Sequence, residues 1–359
     1  MMIIVGCSAT SSAPQKDAGP QDAGPQDTNT SQDASKSADD DTEGPEIKQQ
    51  STPDVSDSED VKPVDDDAAK PAPDTQPSLA NCPIDAPSFE KINVGAVTLR
   101  VACRGKGPTL VLLHGFPEFW YGWNSVMDEL AGDFNLIVPD QRGYNLSDKP
   151  AELSAYEIQH LTADIAGLIG TLESKKVVLV GHDWGGGVAW GLGSLFPDRV
   201  DKLVLNTAAS DRAKPGALES LRATTLAAVE DPNWPVVRAR LEWLMFDNSD
   251  VHDDLVACRQ AIYQQPGMRD AMARIMCLQE MEIRQRNNLT DEDWAAIRTE
   301  TLVLWTDKDP TAAVNVGEKL ARLIPNSRFA LMTDCGHWPQ FEDPATFNKL
   351  HLDFLLGRA

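Results

Sequence analysis

The chain has 359 residues and a formal net charge of −23, with 55 acidic against 32 basic residues. A surface this acidic is repelled by a phosphate backbone, which disfavours a nucleic-acid partner. No run of eighteen apolar residues occurs, so no segment is read as spanning a membrane, and the six cysteines lack the spacing of a zinc module.

The charge is unevenly spread. Residues Ser8 to Ala80 hold fourteen Asp and three Glu against five Lys, and no aromatic residue. Such a stretch buries too little apolar surface to offset its ordering entropy, so residues 8–85 are read as a disordered, self-repelling acidic tether. Ahead of it, Ile4-Val5-Gly6-Cys7 resembles the lipobox of bacterial lipoproteins. That resemblance implies lipidation of Cys7, with residues 1–7 a signal remnant and the chain exported and anchored to a bacterial membrane. Without it the chain is read as cytoplasmic.

From Phe89 the pattern changes to alternating strands and helices. Lys91–Val94 and Val97–Cys103 read as a hairpin. Leu110–Leu113, Leu136–Val138, Val177–Val180, Leu203–Leu205 and Leu302–Trp305 are short, wholly apolar runs that end at turn residues. Runs of this kind suit parallel strands buried on both faces. Arg328–Leu331 adds another strand, and Tyr156–Leu172 and Trp184–Phe196 read as helices between strands. The expected fold class is α/β, with a mostly parallel sheet flanked by helices. Ala213–Arg298 interrupts the rhythm with helical signals and no strand, so it is read as an inserted α-helical cap. The domain is thus divided into core residues 86–212, cap residues 213–298 and core residues 299–359.

The most specific motif is Gly181-His182-Asp183-Trp184-Gly185, where a buried strand turns sharply into a helix. Glycines at both ends allow the tight turn that exposes the central side chain. The bland reading is a strand–helix turn with an N-capping Asp. An acid and a histidine follow in chain order. Asp307 and Asp309 both lie in the loop after Leu302–Trp305, and His337 lies in the loop after Arg328–Leu331. Upstream, His114-Gly115-Phe116-Pro117-Glu118 follows the first buried strand.

Together these motifs resemble the α/β-hydrolase superfamily, in its epoxide hydrolase and haloalkane dehalogenase branch with an Asp nucleophile. The likeness covers the chain from about Phe89 onward and includes Pro139-Asp140-Gln141-Arg142-Gly143-Tyr144. It implies Asp183 as nucleophile, Asp309 rather than Asp307 as triad acid, and His337 as general base. Backbone N–H groups of Phe116 and Trp184 would form the oxyanion hole. It implies no cofactor and no metal. A carboxylate suits attack on a saturated carbon, giving an alkyl ester that water then hydrolyses.

Epoxides fit the motifs best, and the expected partner is a small apolar or aromatic substrate. Haloalkane dehalogenation is the alternative, followed by carbon–carbon or ester hydrolysis and by a non-catalytic small-molecule receptor. The likeness falters in the cap, where Tyr263 is the one tyrosine available as a proton donor. A core phenol such as Tyr121 would be the substitute. Trp234, Trp243, Leu244, Phe246, Met272, Ile275, Met276 and Met281 are the expected apolar lining. The sequence leaves the oligomeric state open.

Overall fold

The computed structural model describes residues 3–5, 87–208, 217–275 and 290–358. The acidic stretch, Cys7, Met276 and Met281 lie outside the described residues. Among the described residues nine strands form one sheet: β1 (Ile3–Val5), β2 (Ser88–Asn93), β3 (Thr98–Arg104), β4 (Thr109–Leu113), β5 (Asn135–Pro139), β6 (Val177–His182), β7 (Val200–Asn206), β8 (Glu300–Thr306) and β9 (Ser327–Met332). Their order across the sheet is β1-β9-β8-β7-β6-β4-β5-β3-β2. The pairs β2/β3 and β3/β5 are antiparallel, and every other pair is parallel.

Residue choice explains this arrangement. β4, β5 and β6 are buried along their whole length, as β-branched and aliphatic runs covered on both faces must be. Side chains alternate across the sheet. Val111, Leu113, Leu179, Leu205 and Val303 join the core on one face. Leu110, Leu112, Val180, Val204 and Leu302 join the core on the other. Helices α1 (Asn124–Leu130), α2 (Ile158–Thr171) and α3 (Trp184–Leu195) connect the first strands. Between β7 and β8 the described residues form α4 (Ala217–Glu230), α5 (Trp234–Leu244), α6 (Asp253–Tyr263), α7 (Met268–Ile275) and α8 (Asp291–Ala296). After β8 come α9 (Val314–Leu323), α10 (Pro339–Glu342) and α11 (Pro344–Leu355).

Several expected boundaries shift by a few residues, and two of the shifts have a visible cause. The hairpin begins at Ser88 rather than Lys91, because Phe89 is held against Trp120 and beneath the Arg100 guanidinium. The helix expected from Tyr156 begins at Ile158 instead. Tyr156 closes a 3₁₀ turn and its hydroxyl donates to the Pro150 carbonyl over 2.8 Å.

The strand order reverses between β4 and β6, since β5 lies on one side of this pair and β7 on the other. In open α/β sheets the crevice beyond the carboxyl ends at such a switch point is where ligands sit. His114 follows β4 and Asp183 follows β6, so two motifs reach that crevice from neighbouring strands.

His351 on α11 supports this region from below. Its Nδ1 donates to the Phe347 carbonyl over 2.8 Å, and its Nε2 accepts from Asn206 Nδ2 over 3.2 Å. Asn206 ends β7 and its carbonyl accepts from Asp183 N over 3.1 Å. Burial lowers the His351 pKa from 6.5 to about 4. The unfolded chain therefore takes up a proton below pH 6.5 that the folded chain refuses until about pH 4, and stability is lost as pH falls through that window. Replacing His351 by Gln should flatten the acid side by up to one proton, about 1.4 kcal/mol per pH unit. Urea unfolding at several pH values between 4 and 7 measures this slope.

Candidate active site

Asp183 stands alone between β6 and α3, with φ 49° and ψ −116°. A non-glycine residue held there costs of order 1–3 kcal/mol and persists only where its surroundings impose it. Here they do. A β-carbon at Gly181 would collide with the Gly185 carbonyl, and one at Gly185 with the Leu113 carbonyl. β6 and α3 therefore approach closely only because both positions are glycine. Gly115 serves the same end, since a β-carbon there would lie 2.7 Å from the Asp183 Cβ.

The Phe116 amide donates to Asp183 Oδ2 over 3.1 Å. Trp184 is the first residue of α3, so its amide has no acceptor within the helix. His114 shapes the Phe116 loop. Its Nε2 accepts from Gln141 N over 3.0 Å, and its carbonyl accepts from Gln141 Nε2 over 2.6 Å. Burial drives the His114 pKa down to about 3, so the ring is neutral and can accept.

His337 Nδ1 lies 2.8 Å from Asp309 Oδ2. The other carboxylate oxygen, Oδ1, accepts from the Thr311 amide over 2.6 Å, the Thr311 hydroxyl over 2.7 Å and the Ala312 amide over 3.2 Å. Burial opposes the charge on Asp309, yet the His337 ring and the Thr311 donors hold its carboxyl well below the usual range. Such a carboxylate fixes the imidazole tautomer and orientation. Asp307 turns away and pairs with Lys308 over 2.8 Å. His182 ties the parts together. Its Nε2 lies 2.8 Å from the His337 carbonyl, and burial, then the His337 ring, lowers its pKa to about 4 despite the nearby Asp183 and Asp309 charges.

Tyr263 ends α6 and is buried, and its hydroxyl has no hydrogen-bond partner among the described residues. Tyr121 is engaged otherwise, through a hydrogen bond to Cys258. Tyr144 is a buried phenol close enough to Asp183 to feel its charge. Burial raises its pKa most, and the Asp183 charge and the Tyr263 phenol raise it further. Its ring packs edge-on against His114, with centroids 4.7 Å apart. Of the expected lining residues, Leu244, Met272 and Ile275 are buried, and Trp234 and Trp243 are partly so. Phe246 is a correction: it is 50% exposed and lies against the Lys308 ammonium. It follows the end of α5, where its own amide is drawn to Glu342 over 2.7 Å.

The sequence also gave no sign of that glutamate's role. Glu342 on α10 accepts from Gly336 N over 2.8 Å and Trp338 N over 3.2 Å, and His337 N donates to the Leu244 carbonyl over 2.8 Å. The loop carrying His337 is thus pinned on both sides.

A family model described as alpha/beta hydrolase fold matches residues 108–344. The chain belongs to that family. It is 31% identical to the AB hydrolase superfamily protein YfhM of Bacillus subtilis, over 76% of this chain and 99% of that one. It is 26% identical to Epoxide hydrolase 1 of Caenorhabditis elegans, over 69% of this chain and 65% of the worm protein. Among solved structures it resembles a meta-cleavage product hydrolase from Pseudomonas fluorescens IP01, with a TM-score of 0.67 and 26% identity over 75% of this chain and 98% of the other.

The backbone at position 183 can be tested apart from its carboxylate. Asp183→Gly and Asp183→Ala both remove the acid and should both abolish turnover, but only glycine relieves the positive φ. Asp183→Gly should be the more stable of the two by about 1 kcal/mol in denaturant unfolding. Equal stabilities would mean that the turn carries no strain.

Proposed function

We propose that this α/β hydrolase works through a covalent alkyl ester on Asp183, with epoxides as its substrates. The observation that carries this reading is a carboxylate where the turn presents its nucleophile, with Oδ2 already bound by the Phe116 amide. In this scheme Asp183 Oδ1 attacks an epoxide carbon. The carbon–oxygen bond breaks, and the leaving oxygen takes a proton from a phenol. Water that has given its proton to His337 Nε2 then attacks the Asp183 carboxyl carbon. The Phe116 and Trp184 amides hold the resulting oxyanion; on collapse the leaving alkoxide takes the imidazolium proton to give the diol, and the proton left on the Asp183 carboxyl returns to the phenolate, restoring carboxylate, imidazole and phenol. Asp309 stabilises the imidazolium formed on the way. These steps need no metal or cofactor.

Tyr263 is the proposed proton donor, and Tyr144, a buried phenol that feels the Asp183 charge, is the second candidate. A buried hydroxyl without a partner is costly to hold, and an epoxide oxygen would satisfy it. Helices α4–α8 are proposed as the cap that covers the crevice. The nearer alternative is haloalkane dehalogenation, which uses the same ester but needs no phenol. The likeness to a meta-cleavage product hydrolase makes carbon–carbon hydrolysis the next.

Export is proposed as well. Cys103 is held in a disulfide, a bond that belongs to oxidising compartments, and Cys7 lies in a lipobox-like setting. Expression in a bacterial host should give a membrane-bound form whose mass changes with globomycin. Wholly soluble protein would count against the anchor.

Purified enzyme should release diol from an epoxide panel. Halide release from haloalkanes alone would favour the alternative, and neither product would end the reading. Replacing His337 by Gln should leave alkylation intact and block hydrolysis, so intact mass spectrometry should find the adduct on Asp183. An adduct on Ser or Cys would overturn the mechanism. Tyr263→Phe should lower epoxide turnover by about 10²-fold while alkyl halides still form the adduct. Unchanged epoxide turnover would remove Tyr263 from the mechanism.

A further inference from the structure

The loop that carries Phe116 is gripped by a side chain from the helical insert. Arg259 on α6 and Glu118, 141 residues apart, form an ion pair in which each side chain is 1% exposed. Arg259 Nη2 donates to Glu118 Oε1, and Nη1 donates to the Pro117 carbonyl. The guanidinium also lies over two rings, 5.4 Å from the Phe119 centroid and 5.0 Å from that of Trp338. Trp338 directly follows His337. One cation thus touches both the loop that supplies the oxyanion donor and the loop that supplies the base.

The pair is a poor device for stability alone. Two charges taken out of water lose about as much as they gain, and apolar side chains of similar volume often serve as well. This pair is also imperfectly satisfied, since Glu118 Oε2 and Arg259 Nε have no partner among the described residues. Room for it is built in, because a β-carbon at Gly122 would strike Glu118 Oε2. Burial lowers the Arg259 pKa only to about 10, so the cation persists at neutral pH. What the arrangement supplies is direction. The planar guanidinium fixes a carbonyl and a carboxylate at once, one and two residues beyond the Phe116 amide.

We propose that Arg259 and Glu118 are positioning residues that hold the Phe116 amide on the developing oxyanion during ester hydrolysis. This rests on the two-step reading above, in which that amide serves the second step. Misplacing an oxyanion donor by a fraction of its bond length removes much of its effect. Attack on the epoxide draws charge away from Oδ2, which the Phe116 amide already holds, so loosening that amide should not slow the first step as it slows the second.

Rapid quench and intact-mass measurements with styrene oxide separate the two steps. In Arg259→Met, adduct decay should slow by about tenfold or more, while adduct formation changes less than threefold and the alkyl-enzyme accumulates. Arg259→Lys, which keeps the charge but not the fork, should recover part of the loss. If Arg259→Met does not fold, Glu118→Gln, which keeps the volume and removes the charge, should show the same split. Equal slowing of both steps, or of neither, overturns the proposal. If the unaltered enzyme releases no diol and His337→Gln forms no adduct, the chemical reading fails, and hydrogen exchange decides the clamp separately. Amides of Phe116 to Phe119 should exchange faster in the variant, and unchanged exchange would reject the clamp.

Discussion

The structure depends on the approach of α3 to β4 and β6, which only glycine at 181 and 185 permits. That contact forces Asp183 into a positive φ and lifts its carboxylate above the end of the sheet. Everything nearby is arranged around the lifted group. Asn206 takes its amide hydrogen, Phe116 donates to its side chain, and Gly115 leaves room for its β-carbon. The local strain is sustained by strands that are apolar on both faces, so the cost of one awkward residue is set against a large buried sheet.

Histidine chemistry divides along the same lines. His114, His182 and His351 are buried where burial favours the neutral ring, and each uses that neutrality to accept or to position. His337 is buried as well, and the Asp309 carboxylate faces its Nδ1 over 2.8 Å. Asp309 keeps its charge in a buried site through His337 and the donors of Thr311 and Ala312.

Much of this was legible in the sequence because it is local. Apolar runs ending in turn residues mark the strands, and Gly181 to Gly185 marks the turn. Chain order led to His337 and to either Asp307 or Asp309, the family resemblance chose Asp309, and the structure brings it within 2.8 Å of His337. What escaped was non-local. Glu118 was read only as the tail of a loop motif and Arg259 carried no reading at all, because no spacing rule links residues 141 apart. Tyr144 was hidden for another reason: its motif placed it in the core, where a phenol ordinarily reads as packing. Phe246 misled because an aromatic residue at a helix end fits a lining, and only the path of the chain turns it outward.

The pairing of β7 with β8 closes over some ninety intervening residues without disturbing the sheet, so the insert could be exchanged among relatives as a module. Arg259 limits that freedom. A chimera that brought in a foreign insert without an arginine at this place would strand Glu118 as a buried, uncompensated anion, which costs several kcal/mol. Positions 118 and 259 should therefore change together as lineages diverge. The reach of α6 into the core makes change in the insert and the integrity of the Phe116 loop a single problem rather than two.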